Sequence, residues 1–242
     1  MPSRWCLLAA LAVALTACGG GAAGPGSGTA GNDVTINAPV APGSSQVVRL
    51  AGVERGTGSA GVVLAHMLGS NQQAWSAYAS TLAEDGFHVL TFDFRGHGAS
   101  GGDRSPSLAN LDLAAAVAKI RRLGATRVLV VGASMGGTAA LVVASTEQLA
   151  GVVTISAPMK IDELDASSAV RNLDEPALFV VAEKDDKRYV DAARAFNAAA
   201  PQPKRLAIIA GSGDHGTDLL TDPKTRTRVQ RMLTDFLVDN RG

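Results

Sequence analysis

The sequence predicts an α/β fold in which a mostly parallel central sheet is covered by helices on both faces. Three observations carry this. Apolar runs of strand length alternate with helical patterns along most of the chain. Those runs are near-continuous rather than alternating, as strands buried on both faces must be. One of them, Val128–Val131, ends in Gly132-Ala133-Ser134-Met135-Gly136 with a small-residue helix directly behind it. In that strand–turn–helix setting a serine is presented on a sharp turn with glycines giving it room.

The elements follow in order. Val34–Ile36 and Val47–Val53 read as opening strands that form an antiparallel edge, and Val62–Ala65 as the first buried strand. A helix is expected around Gln73–Glu84, then a strand over Phe87–Phe92. Ser107–Leu123 reads as a helix, with Leu113, Val117 and Ile120 on one face and Gly124 as its stop. Arg127–Val131 leads into the serine turn and a helix over Thr138–Ser145. Val152–Ile155 and Ala177–Val181 are further strands, followed by a helix over Val190–Ala199 and a last strand over Leu206–Ile209. Asp222-Pro223 is expected to open the final helix as cap and first-turn proline. Its apolar stripe is Val229, Met232, Leu233, Phe236 and Leu237.

A chain of 242 residues supports one sizeable core, and 46% hydrophobic against 18% charged residues is a globular balance. A net charge of +0 gives no basis for capture of nucleic acid. The four histidines are not spaced as ligand pairs, so no metal is assigned, and no cofactor is implied.

Residues 1–17 read as a leader: Arg4 precedes an apolar stretch of about a dozen residues, short of the roughly 20 a membrane span needs. Leu15-Thr16-Ala17-Cys18 resembles a bacterial lipobox, which implies lipidation at Cys18. The alternative is an ordinary secretory signal with Cys18 incidental. Residues 18–31 are Gly-rich and suit a flexible tether, with the folded domain spanning 32–242. Together these predict a lipid-anchored, extracytoplasmic envelope protein that meets the membrane through Cys18, its fold free of disulfides.

Four ordered segments resemble the α/β-hydrolase superfamily: Val62–Gly69 with His66-Met67-Leu68, Asp93-Phe94-Arg95-Gly96-His97-Gly98-Ala99-Ser100, the turn Gly132–Gly136, and the late loops Ala182–Asp185 and Gly211–Gly216. The resemblance covers nearly everything after residue 45. It implies a serine hydrolase with Ser134 as nucleophile, His215 as base, Asp185 as the orienting acid, and the N–H groups of Leu68 and Met135 as the oxyanion hole. The chemistry needs each part. A serine hydroxyl attacks only as a base takes its proton, and histidine suits because its pKa lies near 7. A carboxylate then fixes the imidazole tautomer. The order Ser…Asp…His is the one this fold uses.

Asp186 competes with Asp185 for the acid role or caps the next turn. Met67 stands where the family has glycine, and a positive φ there would strain it. His66 and His97 are expected to hold backbone under the site, His88 to sit in a strand, and Arg95 to brace its loop. Fewer than twenty residues separate Pro158 from Pro176, which implies a capless, open site suited to small or water-exposed esters. Thioesterase, peptidase or acyltransferase chemistry on the same triad stays open. So does a catalytically silent binding protein.

Overall fold

The computed structural model describes residues 1–2 and 31–242. Strands β1 (Asn32–Pro39), β2 (Val47–Arg55), β3 (Ala60–Ala65), β4 (His88–Phe92), β5 (Arg127–Ala133), β6 (Gly151–Ile155), β9 (Ala177–Ala182) and β10 (Lys204–Ile209) form one eight-stranded sheet. Its order is β1-β2-β4-β3-β5-β6-β9-β10. β1 and β2 are an antiparallel edge, β2 meets β4 antiparallel, and the rest pair in parallel. A two-residue hairpin, β7 (Lys160–Ile161) with β8 (Leu164–Asp165), lies apart. That hairpin and one short 3-10 turn fill the stretch before β9, so no large cap covers the sheet.

Helices α1 (Ser76–Glu84) and α5 (Arg226–Asp239) cover one face; α2 (Ala109–Arg122), α3 (Met135–Ala144) and α4 (Lys187–Ala199) cover the other. This explains the unbroken apolar runs. In β3, Val62 and Leu64 join the layer with Trp75, Leu82, Leu233 and Leu237. Val63 and Ala65 point the opposite way, to Leu113, Val117 and Leu141. Both sets are buried, and each large side chain withdrawn from water in this way is worth about 1.5–3 kcal/mol.

Several boundaries move for physical reasons. α3 starts at Met135, three residues early, because Ser134 itself is the residue before the first helical turn. α4 starts at Lys187 because the Asp186 carboxylate accepts the Arg188 N–H at 3.0 Å and caps it. α5 starts late. Asp222 spends its side chain on the Lys224 N–H at 2.7 Å, closing a local turn that delays the helix to Arg226.

The localisation expected from the N-terminal segment is corrected. The leader from residue 3, Cys18 and the tether to residue 30 lie outside the described residues. No helix among the described residues is long and apolar enough to cross a membrane. The anchoring expectation rested wholly on that segment, whereas the described domain turns its large apolar side chains into two internal layers.

Candidate active site

The site gathers at the C-terminal edge of the sheet. Ser134 follows β5 with φ 48° and ψ −115°, a conformation that L residues rarely hold. Its N–H donates to Ile155 O at 2.8 Å, and its carbonyl accepts from the N–H groups of Gly137 (2.9 Å) and Thr138 (3.1 Å). The flanking glycines are required by contact. A Cβ on Gly132 would lie 2.2 Å from Gly136 O, and one on Gly136 would lie 2.5 Å from Ala65 O and 2.8 Å from His66 O. The start of α3 therefore sits directly against the end of β3, where the His66-Met67-Leu68 loop begins.

That loop is a tight turn. Met67 O accepts the Ser70 N–H at 3.1 Å, and the positive φ falls on Gly69 at 77°, the pattern of a type II turn. Met67 is outside the left-handed region, so the strain expected from methionine in place of glycine does not arise. Its thioether instead meets the histidine loop. Thr217 Oγ1 lies 3.8 Å from Met67 Sδ, and a Cβ on Gly216 would lie 2.9 Å from it. Leu68 is 47% exposed. Among the described residues, neither its N–H nor that of Met135 is spent on a protein acceptor.

Asp185 and His215 are brought together: His215 Nδ1 donates to Asp185 Oδ2 at 3.1 Å and lies 3.2 Å from Oδ1. The Asp185 side chain is 4% exposed and that of His215 27%. Asp186 faces away, on the α4 cap. The residue after His215 abuts the serine turn, since a Cβ on Gly216 would lie 3.5 Å from Ala133 Cβ. Ser134 Oγ and His215 do not hydrogen-bond in the structure.

The Asp93–Ser100 segment is a brace. Asp93 accepts the Gln72 N–H at 2.7 Å and the Ala99 N–H at 2.9 Å, tying it to the chain beyond the Met67–Ser70 turn. Gly98, at φ 50°, leaves no room for a side chain beside that carboxylate. Arg95 forms a buried ion pair with Asp112 at 2.6 Å and donates to Pro39 O and Val40 O. His66 Nδ1 donates to Met67 O at 2.8 Å while Nε2 accepts the Phe94 N–H at 3.0 Å. Burial lowers its pKa to about 4, which keeps the ring neutral and lets one nitrogen donate while the other accepts. His97 Nδ1 donates to Arg95 O, and His88 pairs with Glu54 at 2.6 Å.

One neighbour was not foreseen. The Tyr189 ring lies against the His215 ring with centroids 4.2 Å apart and planes at 44°. The only sequence signal for it is its place four residues after Asp185.

Residues 57–175 match the family described as serine aminopeptidase, S33. The match takes in the Met67–Ser70 turn, the brace and Ser134, and ends before Asp185 and His215. An esterase of Pyrococcus furiosus is similar at 20% identity, with 86% of this chain and 93% of that one covered and a TM-score of 0.70. A thermophilic esterase from Thermogutta terrifontis is similar at 19% identity, with 87% and 100% covered and a TM-score of 0.70. A Paleococcus ferrophilus monoacylglycerol lipase is similar at 19% identity, with 79% and 99% covered and a TM-score of 0.69. No curated protein matches the sequence. In sheet order, flanking helices and the absence of a large cap, the chain has the α/β-hydrolase fold in its small form.

Proposed function

We propose that the chain is a serine hydrolase that cleaves small carboxylic esters through an acyl-enzyme. The observation that carries this is the Asp185–His215 pair, docked through Gly216 and Met67 against a serine held at φ 48°. Ser134 Oγ attacks the ester carbonyl carbon as His215 Nε2 takes its proton, and the carbonyl π electrons move to oxygen. The N–H groups of Leu68 and Met135, free of protein acceptors, bind that oxyanion. Collapse expels the alcohol, which receives the proton from His215. Water then repeats the sequence on the acyl-enzyme, releasing the carboxylic acid and restoring the serine. Asp185 holds Nδ1–H toward itself, leaving Nε2 as the base and stabilising the imidazolium. The Ser134–His215 hydrogen bond forms as substrate seats, as catalytic contacts often tighten only then.

With no large cap, the acyl chain rests on an open surface beside Leu68, which favours short acyl groups. The test is labelling by a fluorophosphonate together with turnover of p-nitrophenyl esters of increasing chain length. Wild type should label and prefer acetate or butyrate; Ser134→Ala should do neither. Labelling or turnover that persists in Ser134→Ala would overturn the reading. The family description of residues 57–175 favours a second reading, amide cleavage at an amino terminus. Faster turnover of aminoacyl p-nitroanilides than of esters would select it.

A further inference from the structure

Resting on the reading of His215 as the base, we infer that Tyr189 is a positioning residue that covers one face of the imidazole and stabilises its protonated form. Four residues within Asp185–Tyr189, at and just before the start of α4, build this support. Asp185 takes the Nδ1 edge of His215 at 3.1 Å. Asp186 caps the helix and lies 3.6 Å from Arg188 Nε. Arg188 in turn places its guanidinium 4.6 Å from the centre of the Tyr189 ring. Tyr189 presents that ring to His215 at 4.2 Å. The helix itself is fixed beneath: Val190 and Ala193 pack with Val181 of β9, and Tyr189 and Leu206 lie against them.

The chemistry gives the contact a direction. His215 gains a positive charge only while it holds the serine or water proton. An aromatic face within about 6 Å of a cation is attracted to it through the ring quadrupole. The neutral imidazole gains no such term, so Tyr189 favours the charged stage over the resting one, which is what lowers a barrier. The same ring limits tilting of the histidine about its single tether to Asp185. The phenolic hydroxyl is not required for either effect. Met67 and Thr217 border the histidine loop on another side with neutral groups, leaving Asp185 and the Tyr189 face as the supports for the charge.

The experiment compares Tyr189→Phe, which keeps the π face, with Tyr189→Leu, which fills similar space without one. Tyr189→Met serves the second arm should the leucine variant not fold. Steady-state ester turnover is read as kcat and KM separately, and the His215 Nδ1–H proton signal is followed by NMR. Tyr189→Leu should lose about 3- to 30-fold in kcat, the range such contacts supply, with KM within about twofold and the Nδ1–H signal broadened. Tyr189→Phe should keep wild-type kcat. Equal activity in Leu and Phe variants, whether both intact or both impaired, would overturn the inference, as would a rise in KM at constant kcat. Ser134→Ala separates the two levels: if it still labels, the hydrolase reading fails. If it does not, an indifferent Tyr189→Leu sinks this inference alone.

Discussion

Arg95→Met tests how much stability the buried ion pair in the Asp93–Ser100 brace holds. The guanidinium meets Asp112 through Nη2 at 2.6 Å and through Nε at 3.0 and 3.1 Å, and the Asp112 side chain is 0% exposed. Burial pushes the Asp112 carboxyl above its usual range even with Arg95 present. Removing the cation leaves a buried charge without compensation, at a cost of about 3–5 kcal/mol. For a domain of this size that is about 6–20 °C in Tm, a large share of a typical ~5–15 kcal/mol total. Urea unfolding followed by circular dichroism measures it. The sign with pH follows from linkage. Asp112 in the variant is held above its unfolded pKa, so protonation favours the folded state, and stability falls as pH rises through the carboxylate range. Arg95→Met/Asp112→Asn removes the charge while keeping an acceptor for the Arg95 backbone N–H, which now reaches Asp112 Oδ2 at 2.9 Å. It should be more stable than Arg95→Met alone and lose the pH slope. A cost under about 1 kcal/mol for Arg95→Met, below the range for buried pairs, would refute the reasoning.

Glu175→Gln should stabilise the protein above pH 7 by about 1–3 kcal/mol. Burial raises the carboxyl from 4.5 to about 7, and Oε1 is buried without a partner among the described residues. The wild type therefore loses stability as pH rises from about 4.5 to 7, and denaturant midpoints at pH 5 and pH 8 show whether the variant removes that loss. Gly136→Ala puts a Cβ 2.5 Å from Ala65 O. That forces α3 and the Leu68 turn apart, so kcat for esters should fall by about 10²-fold or more, as when an oxyanion donor is lost; near-wild-type kcat would show that the close approach is not needed. Ser134→Gly should be more stable than Ser134→Ala by about 1 kcal/mol, because both lack the hydroxyl and only glycine relaxes at φ 48°. Thermal unfolding of the pair checks this, and an equal or higher Tm for the alanine variant would count against strain at this position.

The fold was legible because burial on both faces writes itself into composition. Val62 to Ala65 read as a strand between two helical layers, and Val34–Ile36 with Val47–Val53 as an antiparallel edge, which β1 and β2 form. The elbow was legible for a different reason: Gly132 and Gly136 stand there because no side chain fits. What the sequence hid depends on contacts between distant segments. Nothing local says that Met67 will reach Thr217, 150 residues away, or that φ will turn positive at Gly69 instead. The choice between Asp185 and Asp186 was likewise a matter of direction. Two adjacent carboxylates leave a strand end on opposite sides, one toward His215 and the other into the first turn of α4. The β7–β8 hairpin was too short to leave a periodic pattern.

The strained serine and the brace beneath it form one device. A residue at φ 48° costs about 1–3 kcal/mol, and it stays there because hydrogen bonds seize it from two directions: Ile155 O from the neighbouring strand, and Gly137 and Thr138 from the helix it starts. Holding Ser134 that way fixes the Met135 N–H at the head of α3, and the second donor of the proposed mechanism, the Leu68 N–H, lies on a loop with little structure of its own. That loop is stiffened by buried polar groups, His66 bridging Met67 O and the Phe94 N–H and Asp93 tying down Gln72. Each of those groups is hydrogen-bonded, so the low-dielectric interior strengthens the contacts rather than penalising them. The apolar layers hold the sheet; the buried histidines, Asp93 and the Arg95–Asp112 pair set the geometry at its edge. Substitutions in the first group should shift stability with catalytic constants intact, and substitutions in the second should shift both.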